Sequence, residues 1–242
     1  MKRTWWIAAF LGAGVSGCGL GALLSAPRIV DADNDDVVFI GDSIFALSGE
    51  IQANLHVRNG GTFRNYTTSG AELTGGLINP SVEQQFELAV TDPPNSSIVV
   101  MDGGGNDILI PAVALFDPYD CKTQWYEFGR LSRSCKNFID DIYVDAVDLL
   151  DEMSADGIDE VVYLGYYYPK AGLLGADDLD EAVDYGDMRL AQACNNSITS
   201  CAFVDPRGTI KNRDIVADGV HPSTSGSNKI ADLIWPVLSP IL

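Results

Sequence analysis

The sequence predicts an α/β protein whose mainly parallel, five-stranded sheet is covered by helices on both faces. Two observations carry this. Short aliphatic runs recur along the chain and stop at glycines, acids or serines, as buried strands do. Between them lie longer segments with apolar residues at helical spacing, and strands separated by helices pair through parallel crossovers.

The elements follow in order. "VVFI" (37–40) reads as a buried parallel strand, and "SIFALSGEIQANLH" continues from Ser43 as a helix. "FRNYTTS" (63–69) is the second strand, "SVEQQFELAV" (81–90) a helix and "SIVVMDG" (97–103) the third strand. In 135–153, Phe138, Ile142, Val147 and Leu150 recur at helical spacing. "EVVYLGYYY" (160–168) is the fourth strand, 180–194 a helix, "CAFVD" (201–205) the fifth strand and 226–238 a closing helix. In such sheets chemistry gathers at the carboxyl ends of the strands, so reactive residues are expected just beyond them.

The 242 residues, with 46% hydrophobic content, suffice for one full core, and no internal repeat or low-complexity linker interrupts them. A formal net charge of -19, from 15 basic and 34 acidic residues, argues against nucleic acid or an anionic lipid surface as a partner. The acids read as a solvated shell.

Residues 1–26 read as a leader and 33–242 as a single domain. Met1-Lys2-Arg3-Thr4 is a positive region followed by an apolar stretch. Within it "VSGC" resembles a bacterial lipobox, which marks Cys18 as a lipidation site. A signal peptidase site after Ala26 is disfavoured by Leu24 and Pro27, while an uncleaved membrane anchor competes, because apolar character continues to Ala26. All three readings export the domain to the periplasm or beyond, with membrane contact only through this segment. Of five cysteines, setting Cys18 aside leaves Cys121, Cys135, Cys194 and Cys201. In an oxidising compartment that even number suggests disulfides, most simply 121 with 135 and 194 with 201. Zinc is rejected, for there is no C-x-x-C and no close pair of histidines.

Ser43 follows the first strand directly. A serine hydroxyl needs a base within hydrogen-bond reach, and the chain has only two histidines. His56 lies about thirteen residues on along the predicted helix, roughly 20 Å away at ~1.5 Å per residue, too far to help. His221 remains, in "ADGVHPS", with Asp218 three residues before it, close enough for a turn to fold its carboxylate onto the ring. Donors for an oxyanion are also needed. "DGGGND" after the third strand offers Gly103, Gly104, Gly105 and the amide of Asn106, and "TSGAEL" after the second offers the N–H of Gly70. Neither G-x-x-x-x-G-K-[ST] nor an early G-x-G-x-x-G is present, which excludes those phosphate cradles. Asp42 is expected to cap the helix that follows it.

Together these blocks resemble the SGNH hydrolases, the GDSL-type esterases and lipases. "GDSI" matches the first block with Ser43 as nucleophile, Gly70 the second-block glycine, "GGND" the third with Asn106, and "DGVH" the last. Ile44 stands where the family name has leucine, and the G-x-S-x-G elbow of α/β-hydrolases is absent. The resemblance implies a flavodoxin-like three-layer α/β/α sandwich. It also implies acyl-ester hydrolysis by Ser43, His221 and Asp218 through an acyl-enzyme, with Ser43, Gly70 and Asn106 as the oxyanion hole. Neither cofactor nor metal is implied, and the chain is expected to act as a monomer on a small-molecule, lipid or carbohydrate acyl ester. An acyltransferase or carbohydrate deacetylase acting on envelope or extracellular polysaccharide is the alternative, and a binding module that kept the fold stands third. Two aromatic loops are expected to shape the pocket: the segment with Trp125, Tyr126 and Phe128, and "YYYPKAGLLG" after strand four.

Overall fold

The computed structural model describes residues 26–242 apart from 76–78 and 124–129. Cys18, Trp125, Tyr126 and Phe128 therefore lie outside the described residues. The strands are β1 (Asn34–Ile40), β2 (Phe63–Asn65), β3 (Ile98–Met101), β4 (Glu160–Leu164) and β5 (Ser200–Val204). They form one parallel sheet in the order β2-β1-β3-β4-β5. This is the doubly wound order whose connections reverse direction between β1 and β3, the place where such sheets open a crevice.

Strand side chains point alternately to the two faces, and the core divides accordingly. Val38, Ile40, Val99, Met101, Val161 and Tyr163 face α3 (Val82–Thr91), α5 (Arg133–Ala155) and α6 (Asp180–Asn196). Val37, Phe39, Val100, Val162 and Leu164 pack with residues of α2 (Glu50–Asn59) and α7 (Thr224–Leu238). A third cluster, including Leu131, Ile139, Ala176 and Leu179, gathers around Cys121 and Cys135. The disulfides are Cys121–Cys135 and Cys194–Cys201, the pairing expected from the short loops. No described helix is long and apolar enough to cross a membrane.

Two helices depart from the sequence reading. The segment after β1 is not one helix: α1 (Ser43–Ala46) stops, Gly49 adopts φ 66°, and α2 starts at Glu50. A left-handed glycine at that point turns the chain and separates the two helices. Beyond "DGGGN", α4 (Gly105–Ala114) forms although no helix was expected there. It opens on glycines and holds Pro111, which removes one backbone donor, so its pattern reads as loop.

The capping chemistry is regular. Ser81 and Gln84 close a reciprocal box at the start of α3. Ser132 accepts from the Cys135 N–H at the start of α5, and Ser223 from the Gly226 N–H at the start of α7. The chain enters the domain beside α1, where the Ala26 N–H donates to the Ala46 carbonyl, and Ile29 pairs with Asn65 in an antiparallel bridge.

Candidate active site

The turn from β1 into α1 is shaped by its glycine. Gly41 sits at φ +145°, and a Cβ there would lie 2.0 Å from Oδ1 of Asp102. Its N–H donates to Oε1 of Gln85 at 2.7 Å, and the next N–H, of Asp42, donates to Asp102 Oδ1 at 2.5 Å. The turn is thus clamped from α3 and from the end of β3. Asp42 caps α1 as expected, accepting the Ile44 N–H at 2.8 Å, and its other oxygen accepts the Tyr166 hydroxyl at 2.7 Å. Burial raises both carboxyls, and Asp102, with Asp42 beside it, stands well above the carboxylate range.

This turn delivers Ser43 to His221. The serine Oγ lies 2.8 Å from Nε2 of His221, and Nδ1 of the same ring lies 2.7 Å from Oδ2 of Asp218. The Asp218–His221 spacing works because the remaining carboxylate oxygen accepts two backbone N–H groups, of Val220 at 2.8 Å and His221 at 3.0 Å. Burial pushes the Asp218 carboxyl up, but those N–H bonds and the imidazole together outweigh it and leave it below its ordinary value. Gly219, at φ +95°, lets this turn press against the loop after β4, where a Cβ would meet the Lys170 carbonyl at 2.4 Å. The Tyr167 hydroxyl fastens the turn further by donating to the Val220 carbonyl at 2.6 Å.

The expected oxyanion donors arrive from two other strand ends. Asn106, buried in the first turn of α4, donates one amide hydrogen to the Ala71 carbonyl at 2.9 Å. It borders the same cleft as Ser43, Gly104 and Gly105. Gly70 sits in the turn from Thr68 to Ala71 at φ +76° but is not among the residues bordering the cleft. Asp107, the last residue of "GGND", ties the two segments by accepting the Leu73 N–H at 2.9 Å. Desolvation raises its carboxyl to about 7.

Neighbours that sequence reasoning missed are Gln85 and Asp102. Only Gln85 left a signal, as a polar residue on the face that α3 buries with Val82, Phe86 and Ala89. His56, set aside as too distant, packs its ring against Phe63 at 5.6 Å on the other side of the sheet from α5 and α6. Of the expected aromatic loops, Tyr166, Tyr167 and Pro169 do line the cleft. Among the described residues no three His, Cys, Asp or Glu side chains gather into a metal-binding group.

No protein-family model and no curated protein match the sequence. Solved structures do match the fold. A GDSL-like lipase from Bacteroides thetaiotaomicron superposes with a TM-score of 0.53 at 20% identity, over 85% of this chain and 88% of that one. A carbohydrate esterase of family 3 from Talaromyces cellulolyticus reaches a TM-score of 0.58 at 14% identity, over 86% and 98%. A member of the lipolytic G-D-S-L family from Veillonella parvula reaches 0.55 at 16%, over 84% and 97%. The chain has the α/β fold of the SGNH hydrolases.

Proposed function

We propose that this protein hydrolyses carboxylic esters, with Ser43, His221 and Asp218 as its catalytic triad. The observation that carries the reading is the unbroken relay from Asp218 through His221 to Ser43, 2.7 Å and then 2.8 Å, built from turns at opposite ends of the sequence. Each link has a chemical task. Ser43 Oγ attacks the acyl carbonyl and gives its proton to His221 Nε2. Asp218 accepts from Nδ1, fixes the ring and stabilises the imidazolium. The same imidazolium protonates the departing alcohol, and water activated by the neutral ring then releases the acid from the acyl-enzyme.

The oxyanion is assigned to the backbone N–H of Ser43 and the second amide hydrogen of Asn106, which border the cleft, with the N–H of Gly70, in the turn just outside the cleft lining, as the third expected donor. The first amide hydrogen of Asn106 is committed to Ala71, which orients the side chain. Asp42 and Asp102 hold the Ser43 turn rather than touching substrate. Export to an oxidising compartment is supported by the disulfides Cys121–Cys135 and Cys194–Cys201.

The test is covalent labelling with a fluorophosphonate, followed by turnover of p-nitrophenyl esters. Wild-type protein labels at Ser43 and releases p-nitrophenol; Ser43→Ala does neither. Equal turnover by the Ser43→Ala protein would sink the proposal. The acyltransferase alternative is checked in the same assay by adding a sugar acceptor, because transfer would then outrun release to water.

A further inference from the structure

A cleft open to solvent at its mouth begins at Ser43 and runs between α4, α5 and α6. Its walls away from the serine are largely aliphatic, with Ile108 and Leu109 from α4, Ile139 and Ile142 from α5, Leu190 from α6 and Leu179 just before it. Polar side chains do border it, but most of their bonding is directed to other protein groups, with the Tyr143 O–H, Asp187 Oδ2 and Arg189 Nε left without a hydrogen bond among the described residues. The Tyr143 hydroxyl accepts from Asn196 at 2.8 Å, and Arg189 lies over the Tyr143 ring and pairs with Asp140 at 2.8 Å. The hydroxyls of Tyr166 and Tyr167 donate to Asp42 and to the Val220 carbonyl. Asp187 accepts the Tyr166 N–H at 2.9 Å and faces Arg207 at 3.3 Å. A sugar ring entering this space would lose water from its many hydroxyls and find fewer partners than it has groups to satisfy, which costs binding energy. A hydrocarbon chain would lose nothing.

One residue on the wall has no local reason to be what it is. Gly186 lies in the interior of α6, where glycine is disfavoured relative to alanine. Its φ is not left-handed, and no backbone crowds it. A Cβ built there would meet a single atom, Cδ1 of Ile108, at an ordinary 3.7 Å. Since Gly186 borders the cleft, what its missing side chain preserves is the width of the cleft itself.

We propose that the cleft receives the acyl chain of the ester cleaved at Ser43, that this chain is longer than acetyl, and that Gly186 sets how much of it is admitted. The inference rests on the esterase reading above and adds the substrate class. Aliphatic contact along the chain is worth a modest factor per methylene, so preference accumulates with length until the chain meets the end of the cleft.

The experiment compares p-nitrophenyl acetate, butyrate, octanoate and dodecanoate on wild type, Gly186→Ala and Gly186→Leu, with folding followed by thermal unfolding. In wild type the octanoate-to-acetate ratio of kcat/KM is expected to exceed roughly tenfold. Gly186→Leu is expected to lower that ratio by about tenfold or more, while Gly186→Ala moves it little. Dodecanoate binding to Ser43→Ala protein, measured calorimetrically, reads the cleft without any turnover and without changing α6. Binding is expected there and is expected to be lost in the Ser43→Ala, Gly186→Leu double variant.

An acetate preference in wild type with Ser43 labelled by fluorophosphonate overturns the acyl-chain inference alone. So does absence of dodecanoate binding, or an unchanged ratio in a folded Gly186→Leu protein. No labelling and no turnover of any ester overturns the esterase reading and this inference with it.

Discussion

Oδ1 of Asp102 occupies the space into which a side chain at Gly41 would project: a Cβ at 41 would stand 2.0 Å away. The glycine preceding the acid and the serine is therefore required by a carboxyl sixty-one residues on. Gly41→Ala must displace the fully buried Asp102 or the turn itself, and its left-handed backbone adds strain. A loss of stability of about 2–4 kcal/mol is expected, measured by denaturant unfolding. Fluorophosphonate labelling of Ser43 should fall in the protein that still folds. Wild-type labelling and an unshifted midpoint would show that the turn tolerates the methyl group.

The second prediction concerns Asp218. Asparagine at 218 can still accept the N–H groups of Val220 and His221, so the turn survives. It offers no negative charge to the imidazolium and can hold the ring in the unproductive tautomer. Asp218→Asn is expected to lower kcat by about 10²–10⁴-fold with little change in melting temperature. Loss of activity that merely tracks unfolding would assign Asp218 to the scaffold instead.

Asp107 gives stability a pH dependence of defined sign. Its folded carboxyl is raised from 3.8 to about 7 by desolvation. The unfolded chain ionises it near pH 4 and the folded one resists until about pH 7, so stability is full below the lower value and declines as pH rises through the higher. Asp107→Asn keeps an oxygen for the Leu73 N–H and has nothing to ionise. Its unfolding midpoint is expected to fall less than that of wild type between pH 4 and 8. Parallel curves would remove Asp107 as the source.

The disulfide Cys121–Cys135 closes a loop with a sequence separation of 14 and is fully enclosed in the third apolar cluster. Replacing both cysteines by serine frees that loop in the unfolded chain and places hydroxyls among apolar groups. A loss of about 3 kcal/mol is expected from loop closure alone, read by chemical denaturation. The Cys194–Cys201 pair, which closes a shorter loop with a separation of 7, should cost less when removed.

The sequence made the strands and their chemistry legible for one reason: apolar runs that end abruptly coincide with strand ends, and in this fold reactive groups sit there. That rule pointed to Ser43, His221, Asp218 and Asn106, and the fold does bring the first three into one hydrogen-bonded chain, with Asn106 and Ser43 bordering one cleft. What escaped depended on partners remote along the chain. Asp102 looks like an ordinary turn acid until Gly41 and Asp42 are brought against it. The helix Gly105–Ala114 was hidden by its glycines and by Pro111, and packing rather than propensity forms it. Gly186 carries no local signal at all, because its meaning is the empty volume beside it. Leu47 to Gly49 breaks a pattern that hydrophobic spacing alone reads as continuous.

The entry of the polypeptide into the domain has a mechanical consequence. The Ala26 N–H is hydrogen-bonded to the Ala46 carbonyl, one turn from Ser43 on the same short helix. A displacement of the chain at Ala26 is therefore passed straight to the short helix that carries Ser43, and the position of that hydroxyl is sensitive to the point at which the polypeptide joins the domain.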